Sequence, residues 1–341
     1  MNQIEEIVSS LSRIINYPNQ VIDTVDEIID FDSLFMQAVQ LKFDKNTMLT
    51  MQYIWSLYQK AFQASKSSDF ILANYYYTKV NSFIDRSELP KDCFKYINVY
   101  ATPNIAYFHY KKNDFLKALS LLEEAIKNIE AIESDYVDMH MAKIQQLHNM
   151  SRLYLKINKY QESLNIVLDI LRYLSSNKNP DYISVWGKDF IDKCNPKIVS
   201  NMFSQVFFET IFNMILIDEL KEEIIIESVF LPLLDQHVND HVLDITYFEW
   251  IKCLEYYSKK NISDFLQLAE KIIISGSKKL YPLKGYLLLK YFEFIKLNEK
   301  ENRLLLDILN KLYDFVNELL SPLPAFIKEM MQAEIKKSLH L

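Results

Sequence analysis

The chain has 341 residues, half of them hydrophobic, a formal net charge of −7 and only three glycines. Phosphate-cradling loops, nucleophile elbows and tight hairpins all consume glycine, which makes up roughly 7% of ordinary chains. With Gly187, Gly276 and Gly285 alone, the sequence reads as helical and outside those enzyme classes, and its acidic balance argues against direct nucleic-acid binding, which needs a basic face.

Cys93, Cys194 and Cys253 are odd in number and far apart, without CxxC or Cys/His ligand spacing. They suggest neither a disulfide framework nor a zinc ribbon, and a reducing cytoplasm fits them. The N-terminus carries Glu5 and Glu6 and no basic n-region, so no signal peptide is expected.

Residues 1–46 read as a cap of short amphipathic helices. Ile4, Ile7, Val8, Leu11, Ile14 and Ile15 form one apolar stripe, ended at Tyr17-Pro18; Val21, Ile22, Val25, Ile28 and Ile29 form a second. One arginine among many carboxylates does not make a DNA-reading helix.

From residue 47 the helices come in pairs: 48–65 with 70–84, 92–110 with 115–132, and 136–156 with 160–174. Each pair is joined by a short polar turn, in which Asp69 and Asp114 are placed to cap the following helix. Phe70, Phe115 and Tyr160 recur at an interval of 45 residues. So do Ala73, Ala118 and Ser163 on the second helices, and Ala61, Ala106 and Ser151 on the first. Small residues facing each other allow a close helix crossing, and fixed-interval similarity marks a helical repeat. Of Tyr75, Tyr76 and Tyr77, the last is expected to face the core, at the position of Leu122.

Phe115, Ala118, Leu122 and Ala125, with Ala106 and Asp114, resemble the tetratricopeptide repeat at most of its signature positions, over roughly residues 47–175. The period departs from that family, 45 against 34 residues. The extra length is about three helical turns and implies longer helices. Stretched repeats of this style are similar to those of the bacterial peptide-pheromone receptors of the Rap, Rgg and PlcR type, whose regulators carry an N-terminal DNA-binding domain not found here.

Residues 176–197, with Pro180, Gly187 and Pro196, read as an irregular linker. In the window 198–217, the most membrane-like of the chain, Asn201, Gln205, Glu209 and Asn213 argue for a buried helix instead of a spanning one. In the second half, 198–341, pairs are expected at 197–217 with 219–235, 240–259 with 263–276 and 279–297 with 301–320, before a terminal helix at 323–339. Phe265 there echoes the earlier aromatics, with Leu268 at the small-residue position.

The fold expected is all-α: a right-handed superhelix of tetratricopeptide-like antiparallel helix pairs. The resemblance implies a concave groove lined by first-helix residues. They are Trp55, Tyr58, Gln59, Phe62 and Lys66 from the first unit; Asn104, Tyr107, Tyr110 and Lys111 from the second; and Gln145, His148, Asn149, Arg152 and Lys156 from the third. Aromatic bodies with amide and cationic tips suit an extended peptide. The chaperone-tail carboxylate clamp of some tetratricopeptide proteins is not matched, since only Asn104 fits its pattern. His237 and His241 stand four apart without the glutamate of a zinc protease or a third ligand.

The function expected is a cytoplasmic peptide- or protein-binding regulator, in its most specific form a signalling-peptide receptor. No cofactor, metal, membrane or direct nucleic-acid contact is expected, and a homodimer is compatible with the reading. The alternatives are a structural adaptor working through outer or terminal surfaces, and a helical enzyme with a site in the second half. No catalytic constellation stands out.

Overall fold

A computed structural model describes residues 3–16, 35–36, 39–134, 136–137, 139–176, 191–217, 221–234, 243–274 and 280–297, with single positions at 311, 329 and 333. Among the described residues the protein is all-α, without a strand. The stripe at 21–29, linker residues 177–190, His237, His241 and, but for those single positions, the segments 301–320 and 323–339 where two more helices are expected lie outside them. The chain divides into two compact units, one of residues 28–206 and 237–242, the other of 1–27, 207–236 and 243–341.

The unit built around 28–206 contains the repeats. Helices α2 (Lys45–Lys66) and α3 (Phe70–Ile84) pack as a pair, as do α4 (Cys93–Lys111) with α5 (Phe115–Glu130) and α6 (Met139–Lys156) with α7 (Tyr160–Ser176). Contacts of α2 with α4 and of α5 with α6 join the pairs. Ala61, Ala73, Ala106, Ala118, Ser151 and Ser163 are all buried at the crossings. In the third pair the Ser163 hydroxyl donates to the Ser151 carbonyl at 2.9 Å, so the two backbones meet at the small residues. A core of Met51, Ile54, Leu57, Ile97 and Ile129, reaching back to Phe35 and Val39, fills the first two pairs. Tyr77 packs on Tyr58 and Phe108 and donates its hydroxyl to the Asn104 carbonyl at 3.0 Å, while Tyr75 is exposed.

The turns within the pairs share one geometry. Ser68, Asn113 and Asn158 take left-handed φ values of 59°, 62° and 61°, forty-five residues apart. The next residue's N–H reaches back to a helical carbonyl each time: Asp69 to Ala64 at 2.9 Å, Asp114 to His109 at 2.9 Å and Lys159 to Tyr154 at 2.8 Å. That bond closes the C-terminus of the first helix and satisfies one of its orphan carbonyls. Asp69 and Asp114 then accept from the N–H groups of Leu72 and Lys117, at 3.0 and 3.3 Å, and open the second helix.

The other unit holds α1 (Gln3–Asn16), α10 (Thr246–Ser258), α11 (Ile262–Ile274) and α12 (Tyr281–Leu297). Helix α8 (Pro196–Leu216) passes from one unit to the other after Val206. Helix α9 runs Glu222–Ile225, a π-helical Ile226–Phe230 and Leu231–Leu234. Helix α1 buries Ile7, Leu11 and Ile14 and packs on α11 and α12, with the Arg13 guanidinium forked onto Glu270 at 2.6 and 2.8 Å. Phe207, Phe230 and Tyr286 surround Trp250, whose indole N–H donates to the Leu283 carbonyl at 3.1 Å. The buried ammonium of Lys290 is paired with Glu222 and Glu293 and lies against the rings of Tyr257 and Tyr286.

The turn from α10 to α11 repeats the geometry of the others. Lys260 has φ 56°, and Asn261 N–H reaches the Tyr256 carbonyl at 2.9 Å. Counted from this turn, Phe265 and Cys253 occupy the crossing positions of Ala118 and Ala106, and the Cys253 thiol lies 3.6 Å from the Phe265 carbonyl. The sequence echo that set Phe265 beside Phe115 is therefore three residues out of register. Ile262 stands at the aromatic position, because the backbone turn fixes the register and the side-chain pattern only follows it.

Candidate binding groove

The unit of residues 28–206 contains a cavity of about 970 Å³. That is the upper end of the ~300–1,000 Å³ usual for ligand sites. Its walls come mainly from α2, α4 and α6, the first helices of the pairs, with Ile198, Asn201, Met202 and Gln205 from α8. The repeat sorts the lining. Gln59, Asn104 and Asn149 occupy one repeat position, and Phe62, Tyr107 and Arg152 another, three residues further along each helix. Tyr110 and Gln145 complete the expected residues found there.

The side chains hold one another in place. Arg152 donates to Asn149 Oδ1 at 2.7 Å, Gln145 to the same oxygen at 3.5 Å, and Asn149 Nδ2 to Gln146 Oε1 at 3.2 Å. Gln146 donates onward to the Ala142 carbonyl at 3.3 Å. Across from them, Asn104 Nδ2 donates to the Tyr100 carbonyl at 3.0 Å, and the Tyr100 hydroxyl donates to Gln59 Oε1 at 2.6 Å. Phe62 and Tyr107 stack with centroids 4.8 Å apart, and Tyr107 meets Tyr110 at 5.9 Å. Burial, with the neighbouring Tyr110, pushes the Tyr107 phenol above its ordinary pKa.

Trp55, Tyr58, His148, Lys111 and Lys156 do not line the cavity. Trp55 and Tyr58 are only 6% exposed and belong to the core: Trp55 meets Phe35 and Tyr100, and Tyr58 meets Tyr77. His148 is 2% exposed. Tyr58 and His148 share a repeat position that turns into the pair, and the same position in α4 is Pro103, which does line the cavity. Lys156 ends α6 and is exposed; so is Lys66 at the end of α2, where its ammonium lies over the Phe62 ring at 4.7 Å.

Tyr100, Pro103, Gln146, Asn201 and Gln205 line the cavity and were not expected there. Tyr100 was within reach, since it is the repeat equivalent of Trp55 and Gln145. Asn201 and Gln205 had shown only as polar interruptions of an apolar window, and no register connected α8 to the repeats.

On its other face α6 carries a buried ionic cluster. Lys143 Nζ lies 2.6 Å from Glu133 Oε2, and His140 Nδ1 lies 3.4 Å from Glu133 Oε1. His140 Nε2 is 2.6 Å from the Tyr173 hydroxyl. Burial pushes Glu133 up, but hydrogen bonds from His140 and Lys143 and their charges outweigh it and hold the carboxyl below its ordinary value. Burial pushes His140 below its ordinary value and keeps the imidazole neutral, despite the pull of Glu133. In that state Nδ1–H faces Glu133 and Nε2 accepts from Tyr173. With His140 and Tyr173 fully buried, the cluster ties helices together and is closed to a substrate.

Among the described residues no cluster of His, Cys, Asp and Glu could hold a metal ion, and no helix is long and apolar enough to cross a membrane. Comparison with models of known protein families, with curated proteins and with solved structures finds no match for this chain.

Proposed function

We propose that this protein is a cytoplasmic regulator that binds a peptide or partner segment in the cavity walled by α2, α4 and α6. Its helix pairs would belong to a right-handed, tetratricopeptide-like superhelix, and the ligand would bind on the concave side. The observation that carries the reading is the convergence of Gln59, Asn104 and Asn149, one repeat position, on a single cavity together with Phe62, Tyr107 and Arg152. Carboxamides can bond a peptide backbone on either side of each amide, and aromatic walls receive its side chains.

The test is native mass spectrometry of the protein purified from its own host, as wild type and as Asn104→Ala/Asn149→Ala. A bound mass present in the wild type should be lost in the double variant, with helicity and melting unchanged. A double variant that retains the same bound mass overturns the reading.

A further inference from the structure

Charge is nearly absent from the wall of the cavity, although the chain is rich in it. The sequence holds 38 Lys and Arg and 45 Asp and Glu. Among the described lining residues there is no Asp, Glu, Lys or His, and the one charged side chain, Arg152, donates to Asn149 Oδ1 within the wall. Carboxamides stand on all four helices instead: Gln59 on α2, Asn104 on α4, Asn149 on α6, and Asn201 and Gln205 on α8. Those of the first three helices are held by bonds within the wall. The pair on α8 differs. Asn201 and Gln205 lie four residues apart, on one face of the helix, and both are exposed. Among the described residues neither side chain has a hydrogen-bond partner, so each has donors and an acceptor to give. Between the carboxamides the surface is apolar, with Phe62, Tyr107 and Met202 half-buried in the wall.

Resting on the groove reading above, we infer that the segment seated in the cavity is an uncharged stretch of extended peptide, its backbone amides bonded to Asn201 and Gln205 and its apolar side chains laid against Phe62, Tyr107 and Met202. A peptide amide is neutral, and a carboxamide matches its N–H and C=O alike. A charge brought into the same cavity leaves water without an opposite charge to meet it, which costs far more than burying a bonded amide. A cationic side chain finds no carboxylate among the described lining residues, and an anionic one is repelled by the chain's net charge of −7.

The test uses three pools of random nonapeptides, acetylated and amidated at their ends, on the immobilised full chain, read by mass spectrometry. One pool lacks Asp, Glu, Lys, Arg and His. The second carries Lys or Arg at every third position and the third Asp or Glu there, so that neither offers a longer uncharged stretch. The neutral pool should be enriched about ten- to a hundredfold over each of the others. For peptides selected from it, Asn201→Ala/Gln205→Ala should cost about fivefold or more in affinity and leave the melting midpoint unchanged, because both side chains are exposed. Gln205→Glu sets a carboxylate in the wall and should turn the preference towards the Lys/Arg pool. A charged pool that binds the wild type as well as the neutral one overturns this inference and leaves the groove reading standing. Full affinity in Asn201→Ala/Gln205→Ala overturns the role of α8, and an unchanged preference in Gln205→Glu overturns the charge argument. Binding by none of the pools overturns the groove reading, and this inference with it.

Discussion

Replacing Ser68 and Lys260 by glycine should stabilise the protein, and the amount follows from the turns. Both residues sit at positive φ, 59° and 56°. A side chain with a Cβ costs about 1–2 kcal/mol there relative to glycine. Glycine also frees the unfolded chain, which takes back about 0.4–1 kcal/mol. The net gain is about 0.5–1 kcal/mol at each site. Ser68 and Lys260 are exposed, and among the described residues neither side chain makes a hydrogen bond that would be lost. Asn113 and Asn158 hold the same conformation, but asparagine tolerates it, so glycine there should gain only about a few tenths of a kcal/mol. Urea unfolding followed by circular dichroism should show higher midpoints for Ser68→Gly and Lys260→Gly at unchanged slope. Ser68→Ala, which keeps the Cβ, should leave the midpoint where it is. The reasoning fails if Ser68→Gly and Lys260→Gly are no more stable than wild type, or if Asn113→Gly gains as much as they do.

Asp114→Ala removes the carboxylate that accepts from Lys117 N–H and should cost about 1 kcal/mol in the same assay, whereas Asp114→Asn, which keeps an accepting oxygen, should keep most of the stability. Ala118→Leu forces extra carbons into a fully buried crossing and should cost about 1–3 kcal/mol, whereas leucine at the exposed Lys117 should be close to neutral. Glu133→Ala takes from the buried Lys143 ammonium its carboxylate partner at 2.6 Å, leaving Glu130 Oε1 at 3.5 Å, and should cost about 1.5–3 kcal/mol. The same cluster sets a pH dependence. His140 is held below its ordinary 6.5, so its contribution is present above that value and is lost as pH falls through it towards the folded pKa. Glu133 is held below its ordinary 4.5, and its contribution is lost at lower pH, on titration through its folded value. The urea midpoint should therefore drop between about pH 7 and pH 5, and His140→Gln should flatten that drop. All three cysteines are buried, and burial raises the thiols of Cys93 and Cys253. A thiol reagent such as DTNB should leave the native protein unmodified and titrate three groups once it is unfolded.

The sequence alone determined whatever depends on neighbours along the chain. Scarce glycine and apolar stripes at helical spacing gave the all-α class. The small residues at 61, 73, 106, 118, 151 and 163 gave the pairing register, because a close crossing admits few side chains and leaves them at fixed intervals. That register carried far enough to bring Gln59, Asn104, Asn149 and Arg152 to one cavity. It could not tell which face of a first helix turns inward, since Trp55, Tyr58 and His148 are as suited to a groove as to a core; only their packing against Phe35, Tyr77 and the rest of the interior decided it. The tertiary structure alone also brought Asn201 and Gln205 to the cavity, joined Glu133 to His140 and Tyr173, and moved the α11 register by three residues. The physical reason is the same each time. Helical periodicity is written locally, one turn after another, while the partner of a face is fixed by which buried groups can be packed and hydrogen-bonded together, and that depends on residues distant in the chain.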